Sequence, residues 1–502
     1  MSFFFPFLSL ILFLPAIGAA ILACLPDRNV KAIRGTALAV TAIDLVLGIA
    51  LWIGYNPTLT GANRFQFEEQ FRWVALEHLD VTIANYHLGV DGLSVPLVML
   101  TVLLGFLAVL VSWHIEHRAK LYFSLLLLLE TGVLGVFMSL DFLLFFLFWE
   151  VELLPMYLLI SIWGSPPPVG RREYSAMKFL LYTIFGSAFM LIGLLAVFFS
   201  SGTLDLVKLA AANIPAQQWL LPPTVVFWLI LIAFVIKLPV FPLHTWLPDA
   251  HTDAPTAVSV LLAGVLLKMG GYGILRICLG LFPEVAYQWG PTLAMFAAIS
   301  IVYGGLVTLR QRDLKRLIAY SSVSHMGYVL LGVGAFTEVA LTGAALQMVT
   351  HGLITGLLFA AVGLIYDKAH TRQIPELQGL MHRMPFICVA FIVAGLASLG
   401  LPGLGGFVAE FMVFTGSYPE FSVYTVLGVL GIVLSAGYIL WTAERSFFRT
   451  LPHRWEHLTD ATLVERIPLV VLMAAILLIG LLPTLVTDVL RSGIAPIVAR
   501  IG

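Results

Sequence analysis

Residues 235–255 read VIKLPVFPLHTWLPDAHTDAP, a segment in which a lysine and several prolines interrupt an apolar run. Pro239 and Pro242 follow Lys237 closely, and each proline removes a backbone donor and clashes with the preceding helical turn. The pattern predicts a helix that breaks beside the lysine. Because a charged side chain inside an apolar helix is costly, such residues usually face a protein interior or a hydrated pathway. Lys237 is therefore a candidate functional residue.

A second interrupted segment, residues 396–411, reads LASLGLPGLGGFVAEF and places Pro402 and several glycines just before Glu410. Broken helices in corresponding places of two chain halves indicate an inverted-repeat transporter, with its site where the half-helices meet. We therefore expect two five-helix repeats. The predicted parts are three helices in residues 1–118, repeats at 119–280 and 290–448, and a C-terminal helix in 464–502. The alternative is a pair of ordinary proline kinks, which membrane helices tolerate.

The composition of the whole chain indicates a membrane protein. Of the 502 residues, 60% are apolar and 11% are charged, against about 25% charged in a soluble domain. A spanning helix needs about 20 apolar residues, whereas a barrel would need alternating strands of about 10 residues. We expect an all-α polytopic membrane protein with about 14 transmembrane helices, centred near residues 14, 44, 102, 130, 152, 189, 235, 265, 300, 326, 353, 400, 433 and 478. The net charge of −1 offers no nucleic-acid-binding surface.

The basic residues support this count of spans. When Lys and Arg are assigned to alternate sides of the fourteen helices, nineteen fall on one side and six on the other, and only Lys237 and Lys268 lie within spans. Lys and Arg are enriched on the cytoplasmic side, called the inside below, so both termini are expected outside. The outside loop at about residues 55–90 is expected to form a hairpin or a short helix on the surface. The first apolar run precedes Arg28, which favours a retained helix over a signal peptide.

Six titratable residues on six different predicted helices share roughly one depth, in the middle third of the membrane. A single residue of this kind would be explained equally well by a structural hydrogen bond between helices or by a function. Six at one level indicate a row of ionisable groups across the bilayer, because each would otherwise carry a burial cost. The candidate site residues are Glu150, Lys237, Lys268, His325, His351 and Glu410.

Other polar residues give weaker signals. Glu152 stands two positions from Glu150, about 200° around a helix, so the two side chains are not expected to face the same lumen. Asp44 and Glu130 are also at mid-depth without a motif, and a structural pair with a neighbouring helix explains them equally well. No metal site is expected, because the cysteines are single and the polar cluster after Lys237 lacks ligand spacing. That cluster is expected to form a polar vestibule or a loop cap; it comprises His244, Asp249, His251 and Asp253.

Several motifs resemble the antiporter-like proton-channel subunits of respiratory complex I and its photosynthetic relatives. They surround each of the six candidates and extend over nearly the whole chain. The motifs are FFLFWEVELLPMYLLISIWG at 145–164, IKLPVFPLHTWLPDAH at 236–251, LLAGVLLKMGGYGILR at 261–276, DLKRLIAYSSVSHMGYVLLG at 313–332, QMVTHGL at 347–353 and LPGLGGFVAEF at 401–411. Glu410 favours the M-type branch, also called chain 4, because L-type, N-type and multisubunit sodium/proton antiporter proteins usually carry lysine there.

The resemblance implies a fold, a role and partners. It implies two inverted five-helix repeats in a proton-translocating subunit of an NAD(P)H-quinone or ferredoxin-quinone oxidoreductase. It places Glu150 as the charged partner of Lys237, although Glu152 beside it leaves open which carboxylate modulates the lysine. It places Lys268 and the two histidines as the relay, and Glu410 as the last group toward the outside. NAD(P)H or ferredoxin, FMN, iron–sulfur clusters and quinone would be handled by other subunits, with no cofactor in this chain.

The implied partners are L-type and N-type membrane neighbours, and the implied location is a bacterial inner membrane or a cyanobacterial thylakoid membrane. Two alternatives stay open. A multisubunit Na⁺/H⁺ antiporter subunit would share the broken helices and the lysines, and a purely structural membrane subunit would tolerate neutral residues at all six positions.

Overall fold

The computed structural model describes residues 6–76, 81–212 and 218–500, and these are largely helical. Short polar turns and helix caps separate the helices; Asp141, for example, accepts hydrogen bonds from Leu143 N and Leu144 N at the start of one helix. The helices are α1 (Phe7–Cys24), α2 (Val30–Gly54), α3 (Ser94–Val111), α4 (Ala119–Met138), α5 (Phe142–Val151), α6 (Leu153–Trp163), α7 (Arg172–Ser201), α8 (Leu206–Ala211), α9 (Pro223–Lys237), α10 (Trp246–Asp253), α11 (Thr256–Leu261), α12 (Leu267–Gly273), α13 (Pro283–Gln288), α14 (Gly290–Leu309), α15 (Leu314–Ala335), α16 (Glu338–Ala369), α17 (Pro385–Ser398), α18 (Gly405–Ser417), α19 (Ser422–Ala443), α20 (Leu463–Leu481) and α21 (Thr484–Val498).

The number of membrane crossings agrees with the apolar runs. Twelve helices in the described residues are long and apolar enough to cross a bilayer, and α9 and α17 are shorter apolar helices. Each of the two shorter helices is followed by a second segment, α10 or α18, as a broken span requires. The all-α polytopic fold class is confirmed, whereas the division into two inverted repeats stays a prediction.

Both predicted helix breaks are present. Helix α9 ends at Lys237 itself, and the chain resumes a helix only at Trp246. Helix α17 ends at Ser398 and α18 starts at Gly405. The second break contains Gly400 and Gly403 with φ of +75° and +90°, a region of backbone space that glycine adopts readily and other residues avoid.

The outside loop forms a two-stranded antiparallel hairpin, and these two strands are the only β-sheet in the part of the chain that the structure describes. Its strands are β1 (Gln66–Leu76) and β2 (Val81–Val90). The hairpin is held against the helices because Glu69, buried in β1, accepts hydrogen bonds from Leu8 N at 2.7 Å and Ser9 N at 3.1 Å. These are free N–H groups of the first turn of α1, so the carboxylate satisfies donors that the helix cannot.

The C-terminal part differs from the single helix expected in residues 464–502. Helix α20 ends at Leu481, and Pro483 precedes a further helix, α21, which packs against α3 and α16. The buried residues of α21 recur at helical spacing along one face, as in Val486, Leu490, Ile494 and Ile497. This periodicity is typical of an amphipathic helix lying on the protein, and it was present in the sequence.

The span at Thr256–Leu279 is buried on every side, and two of its segments are π-helical. They are Leu262–Leu266 and Ile274–Leu279, and α12, which carries Lys268, lies between them. Single π turns inside α-helices occur frequently at functional sites.

Candidate functional site

Lys237 lies at the last position of α9 and is fully buried. Its Nζ donates a hydrogen bond to Oε1 of Glu152, which is also fully buried. The ammonium lies 5.2 Å from the ring centre of Trp149 and 5.5 Å from that of Phe179, where aromatic faces favour a cation. The lysine therefore has a carboxylate partner in an otherwise aromatic pocket.

The structure pairs Lys237 with Glu152, which corrects the expectation that Glu150 is the partner and decides between the two carboxylates that the sequence left open. Glu150 is half-buried and makes no ion pair in the described residues, whereas Glu152 sits at the junction of α5 and α6 facing the protein interior. The backbone of Glu152 packs closely against Gly132 of α4, which turns the Glu152 side chain toward the protein interior. A Cβ at Gly132 would lie only 3.1 Å from the backbone N and the Cβ of Glu152. The helical angle separated the two glutamates correctly, but only packing decides which one points inward.

Lys268 is also fully buried, and its surroundings differ from those of Lys237. Its Nζ donates to the carbonyl oxygen of Ala263, inside the first π segment, and lies 2.8 Å from Nδ1 of His351 on α16. Among the described residues it makes no ion pair with a carboxylate. One proton can therefore reside on either the amine or the imidazole.

His351 continues toward a second histidine. The ring centres of His351 and His325 are 5.8 Å apart. His325 Nδ1 lies 3.2 Å from Oε1 of Glu410, and its Nε2 lies 2.9 Å from Ser398 Oγ and 3.4 Å from Tyr438 Oη. Lys268, both histidines and Glu410 thus form one connected cluster across α12, α16, α15 and α18.

The cluster ends beside the second helix break. A Cβ at Gly400 would lie 2.7 Å from Oε2 of Glu410, so the glycine leaves room for the carboxyl group. That oxygen has no hydrogen-bond partner in the described protein. The carboxyl group can therefore accept a proton from His325 through one oxygen and present the other to a further acceptor.

The two lysines are not in direct contact. No hydrogen bond in the described residues joins Lys237 to Lys268, although their helices touch closely, since a Cβ at Gly270 would lie 2.6 Å from the Phe234 carbonyl oxygen. Of the six predicted residues, four form the cluster and Lys237 forms a separate ion pair with Glu152. Glu150 belongs to neither group.

Sequence reasoning did not find Ser398 and Tyr438, both buried against His325. No motif distinguishes them from ordinary polar residues of membrane helices. The vestibule cluster contains one loop cap and one ion pair. Asp253 Oδ2 accepts hydrogen bonds from Arg171 N at 3.0 Å and Ser175 Oγ at 2.6 Å at the start of α7, and Lys178 Nζ donates to Asp249 Oδ2 at 2.7 Å. The described residues contain no group of three or more His, Cys, Asp or Glu side chains suited to a metal ion.

The broken helices and the buried row of ionisable groups can be compared with known proteins. The family model described as "NADH:quinone oxidoreductase/Mrp antiporter, TM" matches residues 139–436 of the chain, which contain all six predicted site residues. The chain belongs to this family. It is accordingly an integral membrane protein of the NADH:quinone oxidoreductase/Mrp antiporter family.

Similar proteins within this family cover almost the whole chain. NADH-quinone oxidoreductase subunit M of Rhodobacter capsulatus is 41% identical over 508 residues, covering 98% of this chain and 96% of that protein. NAD(P)H-quinone oxidoreductase chain 4 1 of Synechococcus sp. (strain JA-3-3Ab) is 42% identical over 496 residues, covering 96% of this chain and 91% of that protein. These names match the M-type, or chain 4, branch that Glu410 favours.

Solved structures show the same fold. A chain in respiratory complex I from Thermus thermophilus with bound NADH superposes with a TM-score of 0.86 at 28% identity, covering 99% of this chain and 100% of that chain. A chain in the Mrp complex from Dietzia sp. DQ12-45-1b gives a TM-score of 0.85 at 21% identity, covering 100% of both, and shows the fold alone.

Proposed function

We propose that this chain is the M-type, or chain 4, subunit of a proton-translocating NAD(P)H-quinone or ferredoxin-quinone oxidoreductase. The observation that carries the proposal is the connected buried cluster of Lys268, His351, His325 and Glu410. The near full-length similarity to subunit M and chain 4 proteins supports it. Quinone reduction occurs elsewhere in the complex, and this chain moves protons.

Lys237 and Glu152 form the input switch in this proposal. While Glu152 is close, the ammonium of Lys237 keeps its proton, because a buried cation is stabilised by an adjacent carboxylate. Movement or neutralisation of the carboxylate, driven by a neighbouring subunit, removes that stabilisation. Lys237 then releases its proton toward Lys268, with water bridging the distance between the two amines.

The cluster is the output path. Lys268 passes the proton to Nδ1 of His351, and His325 then passes it to Glu410 at the second helix break. Histidine suits such a path because its unperturbed pKa lies near neutrality. Moving one charge against 100 mV requires about 2.3 kcal/mol. Separating the buried ion pair raises the free energy of the protonated lysine by about 3–5 kcal/mol, so the neighbouring subunit that draws Glu152 away can supply this work.

The proposal assigns the remaining chemistry to other subunits. L-type and N-type membrane subunits are the proposed neighbours. NAD(P)H or ferredoxin, FMN, iron–sulfur clusters and quinone are handled outside this chain.

The decisive experiment replaces Glu410 with Gln in the intact complex in closed membrane vesicles. The amide keeps the size of the side chain but cannot carry the proton, so we expect proton pumping driven by quinone reduction to fall at least about tenfold, equivalent to about 1.4 kcal/mol in the limiting barrier. Glu116→Gln is the control, because the Glu116 side chain is 81% exposed and remote from the path. Wild-type pumping by Glu410→Gln would refute the output role.

A subunit of a multisubunit Na⁺/H⁺ antiporter is the second candidate, because the family model spans both classes and the Mrp chain shares the fold. The two differ in what drives transport. Sodium-driven proton exchange by this chain and its copurifying subunits, without quinone reduction, would favour the antiporter, whereas copurification with redox subunits favours the oxidoreductase.

A further inference from the structure

Two acidic residues outside the relay lie inside the first four helices. Asp44 on α2 is fully buried, and Glu130 on α4 is 3% exposed. Both carboxylate oxygens of Asp44 and Oε1 of Glu130 have no hydrogen-bond partner in the described protein. Because an unpaired buried carboxylate is very costly in a low-dielectric interior, these groups need a ligand that supplies positive charge or a donor.

The packing places the two side chains at one level. A Cβ at Gly18 of α1 would lie 2.7 Å from Val40 Cγ1 and 3.1 Å from Leu127 Cδ1. Val40 is four residues before Asp44, and Leu127 is three residues before Glu130, which is about one turn on each helix. Successive spanning helices run in opposite directions, so α2 and α4, which are separated by α3, run in the same direction. Asp44 and Glu130 each lie one turn beyond the contact at Gly18 and are therefore at the same height.

Helix α3 closes the space from the third side. A Cβ at Gly105 would overlap the carboxyl group of Glu130, so this glycine makes room for the acid. Helices α2 and α4 pack directly against each other, so the two acids at the same level lie on neighbouring helices. The two carboxyl groups therefore share one buried site bounded by α2, α3 and α4.

Basic residues on these helices do not neutralise the site. Lys31 and Arg34 on α2 and Lys120 on α4 each lie at least ten residues earlier in the helix, about 15 Å along its axis. Arg34 is 3.6 Å from Glu116, and Lys120 is 3.1 Å from Asp27. These contacts hold both cations at the inner end.

The relay is close but is separated by one helix. Gly132 of α4 faces Glu152, whereas Glu130, two positions earlier, faces α3. Two positions correspond to about 200° of rotation, so the acid pair and the Lys237–Glu152 pair lie on opposite sides of α4. The lysine is already paired there and is not a counterion for Asp44.

The hydroxyl groups near the acids have no free hydrogen to donate to them. Thr41 Oγ1 donates to Ala37 O at 3.0 Å, and Thr131 Oγ1 donates to Leu127 O at 3.1 Å. Their hydrogens are thus used, and only lone pairs remain for the site. A proton satisfies two facing carboxyl groups by itself, whereas a metal cation requires several more oxygen ligands.

We propose that Asp44 and Glu130 form a proton-binding site that holds one proton between two carboxyl groups, outside the relay. Two like carboxyl groups in one buried site cannot both ionise readily, as in the paired acids of aspartic proteases. The site is independent of the proposed output role of Glu410, because it shares no residue with that path.

Infrared difference spectroscopy of the purified complex at neutral pH tests this site. The spectrum of the wild type minus that of the double variant Asp44→Asn/Glu130→Gln should contain one carboxylic-acid carbonyl band that shifts in D₂O. Each single variant should retain a band at a changed frequency, because the remaining acid has a different hydrogen-bond partner. The single variants also test the site if the double variant fails to assemble.

Glu116→Gln is the matched control and should leave the carboxylic-acid region unchanged, since its side chain is exposed. Glu410→Gln should leave the band of the acid pair in place, which separates this proposal from the proton relay. The proposal is wrong if the difference spectrum of the acid pair contains no carboxylic-acid band. It is also wrong if replacing K⁺ with Na⁺ at constant ionic strength removes the band, because the ligand would then be sodium.

Discussion

Lys237 and Lys268 are both fully buried, yet the protein surrounds them differently. Lys237 contacts a carboxylate and two aromatic rings, whereas Lys268 contacts a backbone carbonyl and an imidazole. The surroundings of Lys237 stabilise the positive charge on its amine. The surroundings of Lys268 offer the proton a neighbouring site of similar chemistry, so the two lysines are suited to holding and to passing a proton respectively.

The largest expected effect comes from removing the cation of the ion pair. Lys237→Met leaves Glu152 buried and unpaired, and we expect a loss of about 3–5 kcal/mol of stability, the usual result of breaking a buried pair. The midpoint of thermal inactivation of the purified complex measures it. Lys237→Met/Glu152→Gln should recover most of the loss, and Glu150→Gln should be close to wild type. A larger loss for Glu150→Gln than for Glu152→Gln would restore Glu150 as the partner.

The second break offers a prediction confined to the output end. Gly400→Ala should lower stability by about 1–2 kcal/mol, the cost of a left-handed backbone for a residue with Cβ. It should also reduce proton pumping, because the new methyl group would lie 2.7 Å from Glu410 Oε2. Gly403→Ala is the matched control: its φ is similarly positive, but no atom lies within 4 Å of a Cβ. Equal pumping defects in both variants would mean that backbone strain alone is responsible.

Lys268→Met should separate function from stability. The substitution removes hydrogen bonds but leaves no buried carboxylate unpaired, so we expect a stability cost of only about 1 kcal/mol. Proton pumping should nevertheless fall to near background, because the path to His351 begins at this amine. A stability loss as large as that of Lys237→Met would show that the two lysines do not differ as described.

The smallest expected effect concerns a histidine–carboxylate contact outside the membrane, which serves as a reference for His325 and Glu410. His87 Nδ1 lies 3.0 Å from Asp205, and its Nε2 lies 2.7 Å from Glu68. Burial lowers the pKa of His87, but the hydrogen bond and charge of Asp205, followed by those of Glu68, outweigh it and leave the pKa raised.

The sign of the pH dependence follows from that raised pKa. The contact contributes fully below the unfolded-state pKa of about 6.5, and the contribution is lost as the pH rises through the higher folded-state pKa. The difference in thermal midpoint between wild type and His87→Gln should therefore shrink from pH 6 to pH 9. His453→Gln, in a side chain that is 91% exposed, should show no such trend, and a difference that grows with pH would contradict the assignment.

The sequence predicted what apolar length and proline chemistry determine. The centres of the fourteen spans and the breaks beside Lys237 and before Glu410 were accessible because bilayer thickness and missing backbone donors act locally. The four-residue cluster was foreseeable from the residues as a set at one depth. Its order, from Lys268 through the histidines to Glu410, came only from the family resemblance, because depth does not say which helices touch.

The errors have physical causes in packing. Glu152 rather than Glu150 pairs with Lys237 because Glu152 packs against Gly132, where the absence of a side chain lets the two helices approach closely. The sequence around the two glutamates does not indicate this contact, because Gly132 lies twenty residues earlier in the chain. Helix α21 was missed because its apolar face was taken as part of one span. The hairpin was predicted only as one of two options, since strands and short helices are hard to distinguish in a loop.

The π segments on either side of Lys268 make the length of that span significant. A π turn takes one residue more than the α-helical ladder needs, so each segment behaves as an inserted residue held in register by its surroundings. Deleting one residue from Leu262–Leu266 would let the ladder close as an α-helix and would turn the Lys268 side chain by about 100° relative to α11. The direction of the amine is thus encoded in a residue count as much as in residue identity.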